Sequence, residues 1–455
     1  MRHLGALLAV ICVACEQDPS GAPDGLDAAT DRREGAPDSG VDAVDPRVNS
    51  DGGRSSDAGG PGADTEDALE ASFDAHTADA SDRVPLPDAA GEADAGEALE
   101  ARVRILHEAD VALDARTVFR LGAALGADEA LFVEARGQRD RLYQITAMEG
   151  PEGPLVGEPA GEPAGRPLSR TSANPETATA LVPNTDADPT PHTHPAGEYS
   201  VEVRALGGGD GQVHLRVLRV ARPGRDLTVQ VAVPSGAVFA NAAEALVEFE
   251  SALAARATAR FGVETTVVLT TLPVEAPTEL FVDAAVGDLT GFVGLAEALP
   301  VELGPGLRLY LVDQIHDGPD RIGGLSGGLP APASPGRGPA DVTAVRARLL
   351  PDFPEAVADA ATHELGHALG LWHTTEPFGD RFDPVSDTAV CPLVCDLDGD
   401  GVLFARECGG KASGEPPCQG AADNFMFWTL GGDWESTPGQ RRVVGRHPRL
   451  QGPGE

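Results

Sequence analysis

The sequence predicts an α+β domain, with a twisted mixed sheet and one prominent helix, preceded by a small all-β sandwich and a disordered acidic segment. Three stretches of the chain support this division. Residues 16–98 are acidic and contain a single aromatic residue, Phe73. Residues 99–222 contain short runs in which apolar and polar residues alternate. Residues 226–445 combine such runs with apolar residues at helical spacing.

The first 15 residues, MRHLGALLAVICVAC, have the features of a signal peptide. A short basic start precedes the apolar run Leu4–Ala14, which is too short for a stable transmembrane helix. Small residues before Cys15 are typical of a bacterial lipoprotein cleavage site, so we expect a lipid anchor on Cys15. Ordinary secretion, with cleavage nearby, is the alternative. In either case the protein is expected to be exported, to the outer membrane or cell surface of a bacterium or as a secreted protein.

Residues 16–98 carry 22 acidic and 5 basic residues, in a chain whose net charge is −38. The segment has too few apolar side chains to offset the entropy lost on ordering. We therefore expect a disordered linker, extended by its own repulsion, that holds the folded part away from a membrane. The acidic charge also excludes nucleic acid as a partner, because phosphate binding requires clustered Lys and Arg.

Residues 99–222 are expected to form the β-sandwich. The runs TVFRLGAAL, EALFVEARG, GEYSVEVRAL and QVHLRVLRV alternate apolar and polar side chains, and Gly, Pro and Asp separate them. A segment rich in Pro, Gly and Thr, roughly residues 150–195, is expected to interrupt the strands as an insertion.

Residues 226–445 are expected to form the α+β domain. The runs DLTVQVAVP, VETTVVLTTL and LRLYLVDQI predict strands, and apolar residues at helical spacing predict a helix from Asn241 to Gly262. The glycine-rich stretch GGLSGGLPAP follows. A second helix is expected to begin near Pro354, since proline is tolerated in the first turn.

The second helix carries the motif HELGHALGLWH. His363 and His367 are four residues apart, so they project from one helix face and can bind one metal ion. Glu364 lies beside them, where it can contact a water on that metal. Gly370 can adopt φ > 0, end the helix and reverse the chain. This reversal would allow His373 to become the third ligand.

Three protein ligands leave a fourth position for water, as in catalytic zinc sites. The pattern H-E-x-x-H-x-x-G-x-x-H specifies five residues and matches by chance at about one in a few million starting positions. The alternative is a helix with satisfied structural histidines.

These residues resemble the consensus of the metzincin zinc peptidases, a family with a methionine turn beneath the metal. Met426, in DNFMFW, lies 53 residues after His373 and is similar to that turn. DNFM and GGLSGGLP most resemble the pappalysin-type group, and the resemblance extends over roughly Asp226–Trp434. It implies that Met426 shapes the floor under the zinc without binding it. It also implies that GGLSGGLP lies at an edge strand that pairs with extended substrates.

Together, the site and the resemblance predict an exported zinc-dependent endopeptidase. Zn²⁺ lowers the pKa of its bound water to about 7. Glu364, as general base, would remove the proton from this water, and the resulting hydroxide would attack the peptide carbonyl. Glu364 would then pass the proton to the leaving amine. The expected partners are protein or peptide substrates. The protein is expected to be a monomer and to attach to the membrane only through the lipid on Cys15.

The alternative function is a non-catalytic surface binding or adhesion protein on a degenerate metallopeptidase scaffold. It would use the β-sandwich and the second metal loop described below. The presence of Glu364 together with all three histidines favours the enzyme, because binding and folding do not require the glutamate.

A second metal motif lies in the stretch CDLDGDGVLFAREC. Residues 396–407 match D-x-D-x-D-G-x5-E in full, the pattern of a calcium loop. The expected calcium ligands are Asp396, Asp398, Asp400, the backbone carbonyl of Val402, and Glu407. We expect this loop, within an insert spanning 391–418, to order the segment between His373 and Met426. The alternative is an acidic surface loop.

The same insert contains four of the six cysteines, Cys391, Cys395, Cys408 and Cys418. Such clustering in a loop-rich region predicts two disulfides and an oxidising compartment. The alternative is a zinc knuckle, although the spacing C-x3-C-x12-C-x9-C fits common zinc patterns poorly.

Overall fold

The computed structural model describes residues 102–139, 141–157, 168–208, 210–283, 288–300, 303–304, 306–336, 338–409, 418, 420–429 and 435–452. The predicted signal peptide (1–15), the acidic linker (16–98) and Cys15 lie outside these residues. Within them, no helix combines the length and the apolar character that a membrane span requires. The described residues all belong to one packing unit.

The described part of the chain before residue 222 contains strands and no α-helix. The strands are β1 (Val103–Ala112), β2 (Arg116–Leu121), β3 (Ala130–Arg136), β4 (Leu142–Gly150), β5 (Gly153–Pro154), β6 (Ala173–Pro175), β7 (Thr177–Val182), β8 (Gly197–Ala205) and β9 (Gln212–Val220). They form two antiparallel sheets, one with the order β1-β9-β3-β7 and the other with the order β2-β8-β4-β5, in which β4 also pairs with β6. A core of buried apolar side chains from both sheets makes this a sandwich.

Part of the segment expected to be an insertion is integral to the sandwich, which corrects the sequence interpretation. Residues 150–195 contribute β5, β6 and β7, and every residue of β7 is buried. The sequence does not reveal this strand, because TATALV is only six residues long and lies in a Pro- and Gly-rich segment. A short apolar run is a weak signal of secondary structure.

The second half of the described chain alternates strands and helices. Its elements are β10 (Asp226–Pro234), α1 (Ala243–Phe261), β11 (Glu264–Leu272), β12 (Glu279–Val282), α2 (Gly291–Ala298), β13 (Leu307–Val312), β14 (Gln314–Asp317), β15 (Asp320–Ile322), β16 (Gly324–Ser326), β17 (Val342–Arg346), α3 (Pro354–Ala368), α4 (Ala405–Cys408) and α5 (Pro438–Gly445). Three 3₁₀ helices span Pro339–Asp341, Leu393–Cys395 and Ala421–Asp423.

The main sheet of this half has the order β11-β10-β13-β17-β16. The first four strands are parallel, and β16 joins the edge antiparallel to β17. A smaller sheet has the order β12-β14-β15. The mixed α+β class predicted from the sequence is therefore confirmed.

Helix α1 shows why this half folds as the pattern predicts. Its buried apolar residues Ala245, Phe249, Leu253, Ala257 and Phe261 recur every four positions and form one stripe. Gly262 ends the helix in the left-handed region, at φ 70°, and its N–H donates to the carbonyl of residue 258. The stripe packs into the core that also contains the inner face of α3.

The sheet β1-β9-β3-β7 has a core on each face. Leu131 and Val133 point into the sandwich core, whereas Phe132 points into the core of the second half. Buried Arg102 adds a polar link, because its guanidinium donates to four carbonyl groups near the C-terminus. These acceptors belong to Gly445, His447, Pro448 and Leu450.

Candidate metal centre

Helix α3 places the first two histidines. It begins at Pro354 and ends at Ala368, and His363, Glu364 and His367 are all buried in its last two turns. Gly366 faces the methionine turn, where a Cβ atom would lie 2.6 Å from the sulfur of Met426. The small residue thus allows the turn to pack directly against the helix beneath the histidines.

Gly370 reverses the chain after α3. Its φ is 98°, in the region that favours glycine, and its N–H donates to the carbonyl of His367. The next residue, Leu371, closes the turn by donating its N–H to the carbonyl of Gly366. The reversal brings His373 back over the helix, as the spacing of the motif predicts.

The three imidazoles converge on one point. The Nε2 atoms of His363 and His367 are 3.1 Å apart, and each lies 3.2 Å from the Nε2 atom of His373. All three side chains are buried, with at most 2% of each residue exposed.

The other ring nitrogens determine which atoms carry the protons. His363 Nδ1 lies 2.8 Å from the carbonyl of Phe425, and His367 Nδ1 lies 2.8 Å from the carbonyl of Leu371. A carbonyl only accepts, so both Nδ1 atoms donate, and a neutral ring then has an unprotonated Nε2. Burial, reinforced by His373, lowers the pKa of His363 to about 3, and burial lowers the pKa of His367 well below its usual range.

His373 obtains its orientation from a side chain. Its Nδ1 lies 2.9 Å from Oε2 of Glu376, a residue that is 6% exposed. Burial acts to raise the pKa of Glu376, but His373 and nearby arginines outweigh it, so the pKa is lowered and the carboxylate is ionised. An ionised carboxylate accepts, so Nδ1 of His373 donates to it and Nε2 faces the centre.

The arrangement fits a zinc ion. The three Nε2 atoms face one another at 3.1–3.2 Å, the arrangement in which three imidazoles bind one metal ion. Tetrahedral zinc, with Zn–N distances of about 2.0–2.1 Å, separates its nitrogen ligands by about 3.3–3.4 Å. The observed separations of 3.1–3.2 Å are close to this value. Each ligand also has the outer hydrogen bond that metal-binding histidines require.

Glu364 lies beside this centre and against the edge strand β16. It is 1% exposed, and its Oε2 has no hydrogen-bond partner within the described residues. Burial raises its pKa well above the usual range. At Gly324, a Cβ atom would lie 2.4 Å from Cγ and 2.5 Å from Oε1 of Glu364. Only glycine at this strand position leaves space for the carboxylate.

The methionine turn supports the first and third ligands. Met426 is fully buried, and the residue before it, Phe425, supplies the carbonyl that binds His363. The carbonyl of Met426 accepts the N–H of Thr374, the residue after His373. The side chain of Asn424 fixes the turn by accepting the N–H of Met426.

The acidic loop brings part of its predicted ligand set together. One carboxylate oxygen from each of Asp396, Asp398 and Asp400 lies within 4.8 Å of the others. The carboxylate of Asp396 accepts the N–H groups of Gly399 and Gly401, both of which have positive φ. The loop thus has the sharp turns that its glycines predict.

Of the two remaining predicted calcium ligands, Glu407 has other contacts, and the carbonyl of Val402 stays a prediction. Glu407 is 1% exposed, and its two carboxylate oxygens accept the N–H groups of Leu397 and Phe404. The side chain of Glu407 therefore binds backbone N–H groups of the loop and is not part of the cluster of three aspartates. Val402 donates its N–H to the carboxylate of Asp400.

The four cysteines of the insert form two disulfides, as predicted. Cys391 pairs with Cys408, and Cys395 pairs with Cys418. A zinc knuckle built from these cysteines is therefore excluded. The two links enclose the acidic loop and tie it to the buried Phe427 and Trp428, which follow the methionine turn.

Sequence reasoning missed Glu376, and it expected Gly324 only as part of the edge strand GGLSGGLP, without its contact to Glu364. The signal for Glu376 was its position three residues after His373, within reach of that ring. Gly324 gave no comparable signal, because its role depends on a contact between elements 40 residues apart in the sequence.

No protein-family profile and no curated protein matches the chain. Among solved structures, archaemetzincin from Methanopyrus kandleri matches 32% of this chain and 76% of its own, at 18% identity and a TM-score of 0.22. Metalloproteinase-II from Bacteroides fragilis matches 38% of this chain and 60% of its own, at 12% identity and a TM-score of 0.24. At these values the likenesses do not assign a function.

Proposed function

We propose that this protein is a zinc-dependent endopeptidase of the metzincin type, most similar to the pappalysin-type group. The observation that carries the proposal is the convergence of three Nε2 atoms, from His363, His367 and His373, within 3.2 Å of one another. Three protein ligands leave a coordination position open, as catalytic zinc sites do.

Zinc bound there would polarise a peptide carbonyl and lower the pKa of a water molecule. Glu364 would hold and move the proton. Its buried carboxylate has a raised pKa, which suits a group that accepts a proton from water and returns it to the leaving amine. Its lack of a hydrogen-bond partner within the described residues leaves Oε2 available for that exchange.

The edge strand β16 suits an extended peptide substrate. It forms the end of the main sheet, it is antiparallel to β17, and it packs against α3 beside Glu364. A peptide that added to this edge would form backbone hydrogen bonds, and its scissile bond would run past the histidines.

The proposal is tested by metal content and cleavage together. The purified full chain is expected to take up about one equivalent of zinc, and it should cleave casein or gelatin. A zinc chelator should abolish cleavage, and added zinc should restore it. The variant His373→Ala should lose zinc, whereas His214→Ala, which changes an exposed histidine of the sandwich, should retain it. A well-folded chain that takes up no zinc would contradict the proposal.

We also propose that the acidic loop binds calcium through Asp396, Asp398 and Asp400. Its ordered glycine turns and its two enclosing disulfides support this role. Ligand binding from a free concentration of 100 times Kd would stabilise the fold by about 2.7 kcal/mol. Added calcium is therefore expected to raise the melting temperature, and EGTA, at a dose that leaves the zinc content unchanged, is expected to lower it.

The control for calcium is the variant Asp400→Asn, which removes one charge from the loop. Its melting temperature should no longer respond to calcium or to EGTA. A wild-type melting curve that is unchanged by both reagents would show that the stretch is an acidic surface loop.

We also propose that the protein is exported. Two disulfides are typical of proteins that fold in an oxidising compartment, and this supports the predicted signal peptide. Lipidation at Cys15 is proposed on the sequence alone.

A further inference from the structure

The third histidine lies outside the helix that holds the other two, so a different part of the chain must fix its orientation. His363 and His367 are anchored by α3 and by backbone carbonyls. His373 follows the reversal at Gly370, and its Nδ1 is held by the side chain of Glu376 at 2.9 Å. The position of the third ligand therefore depends on the segment that carries Glu376.

Glu376 belongs to a short hairpin. Thr375 forms a β-bridge with Phe382, and the N–H of Glu376 donates to the carbonyl of Arg381 at 3.0 Å. The N–H of Gly379, which has a φ of 60°, donates back to the carbonyl of Glu376 at 2.9 Å. The hairpin is closed by its own backbone, but these bonds do not join it to α3.

Arg170, from the sandwich region, reaches this hairpin. Its Nη1 donates to the carbonyl of Phe382 at 2.7 Å, and its guanidinium carbon lies 3.9 Å above the centre of the Trp372 ring. Arg170 is 6% exposed, and Trp372 directly precedes His373. One buried side chain thus contacts the chain on both sides of the third ligand.

Arg170 is itself held in the sandwich region. Its N–H donates to Oδ1 of Asn184 at 3.1 Å, and Nδ2 of Asn184 donates to its carbonyl at 2.7 Å. This amide is buried. A continuous series of contacts therefore runs from Asn184 through Arg170 and the hairpin to Glu376 and His373.

We propose that Glu376 and Arg170 are positioning residues of the metal centre: Glu376 orients the third imidazole, and Arg170 holds the hairpin that carries Glu376. The inference rests on the proposed zinc binding. It gives the N-terminal sandwich a role in the chemistry, because one of its side chains determines the geometry of a ligand 203 residues further along the chain.

The first test measures zinc affinity, independently of peptide cleavage. The metal-free full chain is titrated with zinc against a chromophoric chelator. Loss of an outer partner of a ligating histidine weakens metal binding by about 10–100-fold, and this is expected for Glu376→Ala. Glu376→Gln keeps an acceptor for Nδ1, so it should recover part of the loss. The control Glu149→Gln, at an exposed ion pair of the sandwich, should bind zinc like the wild type.

The second test asks whether Arg170 acts through Glu376. Arg170→Met should weaken zinc binding, whereas Arg204→Met, at an exposed arginine of the same sandwich, should not. The double variant Arg170→Met/Glu376→Ala should bind zinc no more weakly than Glu376→Ala alone, because the two residues form one series of contacts. If Arg170→Met does not fold, Arg170→Lys replaces it, since lysine keeps the charge but lacks the planar group above Trp372.

Cobalt substitution supplies a spectroscopic measurement. The visible absorption bands of the Co²⁺ form depend on ligand geometry, so they should shift in Glu376→Ala and Arg170→Met and remain unchanged in Arg204→Met. Wild-type zinc affinity and spectra in all variants would overturn the inference, as would additive losses in the double variant. A wild-type chain that binds no zinc would instead refute the proposed function.

Discussion

Replacement of Glu364 by glutamine is expected to lower kcat for peptide cleavage by about 10²–10⁴-fold, the usual contribution of a general base. Glutamine has nearly the same shape as glutamate but does not accept the proton. The zinc content should be unchanged, because the three imidazoles supply the ligands. Stability should not fall either, since burying a neutral amide costs less than burying a carboxylate.

The matched control is Glu355→Gln, in the first turn of the same helix, where the side chain is 66% exposed and pairs with Arg256. It should retain wild-type kcat and zinc content. Equal activity of Glu364→Gln and the wild type would eliminate Glu364 as the base. Zinc uptake by a folded wild-type chain without any cleavage would favour the alternative of a binding protein on a degenerate scaffold.

The substitution Gly324→Ala should lower kcat by about 100-fold, because a displacement of about 1 Å in an active site can have that effect. The added Cβ would lie 2.5 Å from Oε1 of Glu364, so the carboxylate must move. A glutamate side chain is flexible, and the fold and the zinc content should therefore survive. Steady-state kinetics, metal analysis and a melting curve on one preparation test all three expectations.

Gly294→Ala is the control for Gly324→Ala, because a Cβ at Gly294 in α2 meets no atom within 4 Å. It should leave kcat unchanged. If Gly324→Ala kept wild-type kcat, the contact between β16 and Glu364 would have no catalytic importance. If it lost zinc as well, the substitution would have disturbed α3, and the interpretation through Glu364 would fail.

The histidine centre could be predicted because local geometry determines most of it. A four-residue spacing on a helix places His363 and His367 together, and a glycine with positive φ reverses the chain toward His373. The turns at the loop glycines and the disulfides of the cysteine cluster could also be predicted, because turns and disulfides have local sequence signatures. In each case, a few neighbouring residues contain the physical cause.

The parts that could not be predicted depend on contacts between distant segments. Strand β3 is buried along nearly its whole length because cores lie on both faces of its sheet, and alternation in the sequence cannot reveal a second covering layer. Glu407 fits the pattern of a calcium ligand, yet its carboxylate accepts the N–H groups of Leu397 and Phe404. A pattern specifies which residue types are present, whereas packing decides which partner each side chain binds.

The sheet β1-β9-β3-β7 limits how this protein can be cut, shuffled or engineered. If the strands before residue 222 were removed, the core of the second half would lose the apolar face that covers it, and the backbone carbonyls that Arg102 now satisfies near the C-terminus would lose their donor. The N-terminal half therefore cannot be moved into another protein as an independent domain. Exchange for another β-sandwich would succeed only if the new sheet matched the shape of the face of β1-β9-β3-β7 that packs against the core of the second half.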